Sequence, residues 1–135
     1  MKILIQFAVG CFLAPLIDYI WLGKVMKGLY HSEMGHLMRL ENGELQLLVG
    51  PAAAVYLLIN AGLLIFALPP AQGHLGQSFL YGACFGLVAY GIYDMTNLAT
   101  LQNWSLKLSL VDMTWGGLLC GIIALAMAWV GQRLS

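Results

Sequence analysis

The sequence predicts an all-α integral membrane protein, four antiparallel transmembrane helices in an up-and-down bundle, and three observations lead there. Of 135 residues, 61% are hydrophobic and only 9% charged, and the mean hydropathy of +0.83 lies far outside the mixture of a soluble domain. Four stretches, about 3–23, 45–68, 76–101 and 107–131, each supply the roughly 20 mostly apolar residues that a spanning helix needs. The last two connections, "PPAQGHL" and "QNWSL", are short enough to force neighbouring helices antiparallel. The chain therefore reads as a single transmembrane domain over 1–135, with one longer polar loop at 24–44.

The first span opens with "MKILIQFAVGC", which has the look of a lipoprotein signal. The apolar run continues through "FLAPLI" with no small-residue cleavage site, so an uncleaved helix is expected. Pro15 cannot donate to the carbonyl of Cys11, which predicts a kink just before Asp18 and Trp21. In the loop that follows, Leu29, Leu37, Met38 and Leu40 alternate with charges and suggest a short interfacial helix. His31, Glu33 and His36 are its nearest approach to a ligand cluster, and Glu33 and His36 have the i, i+3 spacing of carboxylate-bridged metal sites. Solvated surface histidines are the plainer reading.

Pro51 predicts a second break early in the second span. On the third, Gly82, Gly86, Tyr90, Asp94 and Asn97 fall on one stripe; on the fourth, Ser109, Asp112, Gly116 and Cys120 do. The G-x-x-x-G pairs Gly82/Gly86 and Gly117/Gly121 predict close helix approach in lipid. Cys11, Cys84 and Cys120 all lie within spans, without C-x-x-C spacing, so neither a disulfide framework nor a zinc cluster is suggested. The sequon-like "NWS" at Asn103 matters only in a glycosylating compartment.

"YDMTN" at 93–97 and "VDMTW" at 111–115 are near copies, each with an aspartate in an apolar run. At 1.5 Å per residue, Asp94 and Asp112 both lie roughly 8–10 Å below the same membrane face. Asp18 lies at similar depth on the first span, so three acids converge on one layer. An aspartate at a span centre costs on the order of 2.5–3.5 kcal/mol, and the nearest cations, Lys24 and Lys107, could reach it only by snorkelling from the helix ends. We expect Asp94 and Asp112 to meet across the third and fourth spans and share a proton or a cation, with Asp18 completing the layer. Tyr90, Asn97, Trp21 and Trp115 are the other candidate ligand-binding residues. If His31 and His36 fold over the layer, they and the three acids are candidate ligands for an oxygen-preferring cation. The plainer alternative is architectural: acids that accept hydrogen bonds from Tyr19, Thr96, Thr114, Asn97 or tryptophan indoles and fix helix register.

The formal net charge is zero and no basic run is present, which argues against a nucleic-acid partner. No nucleophile motif, phosphate loop or H-E-x-x-H appears, so no catalytic residue and no cofactor is implied. Lys24, Lys27, Arg39 and Lys107 against Lys2 and Arg133 place the first and third loops in the cytoplasm and both termini outside.

Taken in order, "LIDYIWLG", "GPAAAVYLL", "GLVAYGIYDMTNLATL" and "LVDMTWG" resemble the domain of unknown function 2177 family over nearly the full length. The resemblance implies a four-helix protein of the bacterial inner membrane. It assigns no activity, although it hints at lipid chemistry beside a lipid-modifying enzyme. It gives weight to Asp18, Asp94, Trp104, Asp112 and Trp115 as positions inside the family's motifs. The expected function is binding of a membrane lipid or other amphiphile at an acid-lined intramembrane pocket, or assistance to a lipid-modifying enzyme. A proton- or cation-coupled transporter, helped by homodimerisation, is the alternative, and a structural membrane subunit the second.

Overall fold

The computed structural model describes residues 1–135. Four helical segments are long and apolar enough to cross a membrane: Lys2–Val25, Val49–Ala71, Leu75–Thr100 and Leu106–Arg133. The first is α1 (Lys2–Ile20) followed by a π-helical run, Trp21–Val25. The second is α3 (Val49–Gly62), a π-helical run at Leu63–Ala67 and a last turn, α4 (Leu68–Ala71). Helices α5 (Leu75–Thr100) and α6 (Leu106–Arg133) are continuous.

Helix α6 is the axis of the bundle: 56% of its most apolar window is buried, against 22% in each of the other three spans. Small residues make that possible. A Cβ on Gly82 would lie 2.5 Å from the Ala124 Cβ and 2.6 Å from the Cys120 carbonyl, and one on Gly86 would lie 2.1 Å from the Gly116 carbonyl. Farther along, Gly121 meets Phe79, and Gly91 meets Met113. Numbers fall on α6 as they rise on α5, so the two helices run in opposite directions. On the other flank Gly10 of α1 leaves room for both Asn60 and Met127. Ala14, Leu63, Ala67, Leu119, Ile123 and Met127 form the core. The outer faces carry exposed Phe12, Val55, Leu58, Phe66, Val88 and Ile92, the surface that lipid rather than water would cover.

The second span begins at Val49 rather than 45, which puts Pro51 in the first turn of α3, where a missing N–H breaks no helical bond. Pro15 lies inside α1. The second span also continues past 68, through Pro69 and Pro70 at the start of α4. The π-helical run precedes these two rings, whose clash with carbonyls four residues back favours a widened turn.

The first loop is structured. Helix α2 (Lys27–Met34) and a single 3-10 turn lead into a two-stranded hairpin, β1 (Leu40–Glu41) and β2 (Glu44–Leu45). Leu37, Met38 and Leu40 thus lie beyond the short helix. Asn42 and Gly43, at φ 53° and 79°, make the left-handed two-residue turn that Asn-Gly favours between paired strands.

Candidate functional site

The end of α1, the first half of α3, the end of α5 and the start of α6 meet at one end of the bundle, and the three intramembrane aspartates meet there too. Asp18 is 7% exposed. Its Oδ1 accepts a hydrogen bond from the Trp115 indole at 2.8 Å and its Oδ2 one from the Tyr56 hydroxyl at 2.8 Å. One carboxyl group therefore ties α1 to α6 and to α3. Trp21, at the start of the π-helical run, stacks on Trp115 with ring centres 4.1 Å apart and planes within 3°, which fixes the indole that serves Asp18.

Asp112 is half-buried, and its Oδ1 accepts from the Tyr30 hydroxyl at 2.5 Å. Tyr30 is the buried residue of α2, so the short helix lies over the acidic layer through this bond. Burial, and next the Asp112 acceptor, push the Tyr30 hydroxyl above the ordinary tyrosine range.

Asp94 differs from its two counterparts. It is 1% exposed, it lies against Asp112 and Ser109, and neither carboxyl oxygen has a hydrogen-bond partner. Ser109 cannot supply a donor, because its single hydrogen goes to the Ser105 carbonyl at 3.0 Å while its oxygen accepts from the Trp104 indole at 2.9 Å. No cation approaches either. The one ion pair in the chain joins Lys27 to Glu44 at 3.1 Å in the exposed loop, so Lys24 and Lys107 do not reach the acids.

Of the remaining sequence candidates, Tyr90 lays its ring over Gly116, where a Cβ would come within 2.2 Å of it. Asn97 neighbours Tyr93, four residues back on α5, and Tyr93 meets Trp104 edge to face with ring centres 6.0 Å apart. His31 is half-buried on α2, and His36 is exposed beyond it. No three His, Cys, Asp or Glu side chains, Asp18, Asp94, Asp112, His31 and His36 included, are grouped to hold a metal ion. Thr100 and Thr114 bond the Thr96 and Leu110 carbonyls of their own helices, and Tyr19 is 63% exposed. Of the expected donors a tryptophan indole, Trp115, does bond an acid, and the other two donors are Tyr30 and Tyr56. Tyr56 carries a signal in the sequence: with Asn60, one turn on, it is a polar exception in the second span.

The opposite end of the bundle opens into a cavity of about 650 Å³ between the ends of all four spans. Its wall combines Ile3, Leu64 and Leu68 with Lys2, Gln6, Gln72, His74, Ser78 and Gln132. None of the three aspartates borders it. Several wall groups brace the helices: Gln6 donates to the Met127 carbonyl at 2.9 Å, Gln132 to the Gly73 carbonyl at 2.7 Å, and Lys2 to the Ser135 hydroxyl.

Residues 3–129 match the family described as "Predicted membrane protein (DUF2177)". No curated protein and no solved structure matches the chain.

Proposed function

We infer that this chain, which belongs to the DUF2177 family of membrane proteins, holds a lipid or other amphiphile between its helices, as a binding protein or as the accessory of a lipid-modifying enzyme in the bacterial inner membrane. The supporting observation is the 650 Å³ cavity, whose polar rim and apolar wall lie together at the mouth of a bundle with apolar outer faces. A headgroup suits the polar side chains, and an acyl chain suits Ile3, Leu64 and Leu68. The site so proposed is not the acid-lined pocket of the sequence reading. Asp18 and Asp112 have their donors within the protein and act as ties between helices. With the first and third loops in the cytoplasm, as the basic residues favour, the cavity faces the outer leaflet.

Native mass spectrometry of the full chain, extracted in a mild detergent, tests the reading. The parent should retain an amphiphile, and Leu68→Trp, which fills the wall, should retain much less. A parent that arrives bare after gentle extraction sinks the proposal.

Asp94 favours a second reading, proton- or cation-coupled transport. A buried carboxyl group without a donor, Asp94, lies beside the half-buried Asp112, and intramembrane acids of that kind line ion pathways in other proteins. Alternating access would call for a second copy, since four spans without a visible inverted repeat offer no second half to rock against. Flux into sealed vesicles, abolished in Asp94→Asn, is the result this reading requires.

A further inference from the structure

The formal neutrality of the chain conceals a separation of charge. All six acidic side chains, Asp18, Glu33, Glu41, Glu44, Asp94 and Asp112, belong to the end of the bundle that carries α2 and the hairpin. Four basic side chains share that end, Lys24, Lys27, Arg39 and Lys107, which leaves it two charges negative. The other end carries Lys2 and Arg133 and no acidic side chain, so it is two charges positive. The cavity sits in that positive end.

Its rim is rich in donors. Lys2 gives one N–H to Ser135 and keeps two. The Gln72 amide and the His74 ring have no hydrogen-bond partner within the protein, and each offers a further N–H. His74 is also the residue that precedes α5, and its side chain caps none of the first-turn amides of that 26-residue helix, where the helix dipole favours negative charge. Cavity and side-chain charge thus agree in sign, with no aspartate or glutamate side chain on the wall; the helix ends offset one another, since α5 begins there while α4 and α6 end there.

Building on the amphiphile reading above, we propose that the cavity selects amphiphiles with an anionic headgroup, a lipid phosphate or a fatty-acid carboxylate, and that Lys2 and His74 supply the selectivity. The oxyanion takes the Lys2 ammonium and the amide and imidazole donors of the rim, while its acyl chain lies against Ile3, Leu64 and Leu68. A neutral headgroup makes the same apolar contacts without the charge-assisted bonds.

The experiment uses the full chain in a non-ionic detergent with three probes: short-chain phosphatidylglycerol, a diacylglycerol of equal chain length, and inorganic phosphate. Phosphatidylglycerol should bind about tenfold or more tightly than the diacylglycerol, the size of one charge-assisted contact. In Lys2→Gln/His74→Gln that preference should vanish, with diacylglycerol binding unchanged and helicity by circular dichroism intact. Lys107→Gln, the same loss of charge at the other end, should keep it. Equal binding of both amphiphiles, insensitive to the double substitution, overturns the anion selectivity and leaves amphiphile binding standing. Inorganic phosphate binding as tightly as the lipid overturns the amphiphile in favour of a free oxyanion. No binding by either amphiphile overturns both this inference and the reading beneath it.

Discussion

Asp18 and Asp94 bring the same side chain into the same layer, yet replacement by asparagine should move them in opposite directions. Each Asp18 oxygen receives a donor. An amide there sets its N–H₂ against either the Tyr56 hydroxyl or the Trp115 indole, and that loss should cost about 1–3 kcal/mol. At Asp94 no donor is lost, because none is present, and the new N–H₂ can donate to Asp112 while the opposition of two carboxyl groups ends. Thermal unfolding in detergent, followed by tryptophan fluorescence, should therefore show a lower midpoint for Asp18→Asn and a higher one for Asp94→Asn. Two shifts of the same sign would contradict this division between a tie and an unsatisfied acid. Trp115→Phe probes the tie from the other side: it preserves much of the stacking on Trp21 and removes the donor, so it should destabilise by a similar amount.

Glycines between α5 and α6 should tolerate alanine in the order of the space they face. Gly86→Ala drives a Cβ into a backbone carbonyl at 2.1 Å, whereas Gly117→Ala meets its nearest atom at 3.4 Å and Gly76→Ala meets nothing. The first should cost about 1–3 kcal/mol or more, the second little, and the third should be neutral or slightly stabilising, since alanine is the better helix former. Helix α2 offers a pH test. An unfolded tyrosine ionises near 10.0, and in the folded chain burial and Asp112 favour the protonated hydroxyl of Tyr30. The docking of α2 is therefore fully present below that pH and weakens as pH rises above it. A spin label on Gly28→Cys, a position with open space around it, should gain mobility above about pH 10; Tyr30→Phe should make it mobile at neutral pH and remove the step. The spans were legible in the sequence because twenty apolar residues have few other homes, and Gly82 and Gly86 were legible because small residues at that spacing serve close contact. The partners of the acids were not. Spacing along one helix places Trp115 on the face of Asp112, but the indole is long enough to cross to Asp18 on α1, and which neighbour it meets depends on crossing angles that no single-helix pattern contains. The hairpin was written in Asn42-Gly43 and was obscured by the apolar spacing of Leu37, Met38 and Leu40, which suits a helix and a strand pair alike.

Separation of charge gives the molecule a polarity that its net charge hides, and that polarity fixes which ends must share a side of the membrane. The acidic layer, α2, the hairpin and the connection between α5 and α6 lie together, joined by the bond from Tyr30 to Asp112 and by Trp104 on Ser109. The start of α1, the α4–α5 connection and the end of α6 lie together at the cavity, joined by Lys2 to Ser135 and by Gln132 to Gly73. These bonds link residues 82, 133 and 59 positions apart in the chain, so they hold α6 to the first loop at one end and to the start of α1 and the α4–α5 connection at the other. In a variant without native cysteines, single cysteines at His36, Gln102 and Ser135, all exposed, should therefore divide two and one toward an impermeant maleimide. His36→Cys and Gln102→Cys should react from one face of sealed vesicles, and Ser135→Cys from the other. Labelling of all three from one face, or of His36→Cys and Gln102→Cys from opposite faces, would break the four-span arrangement on which the cavity depends.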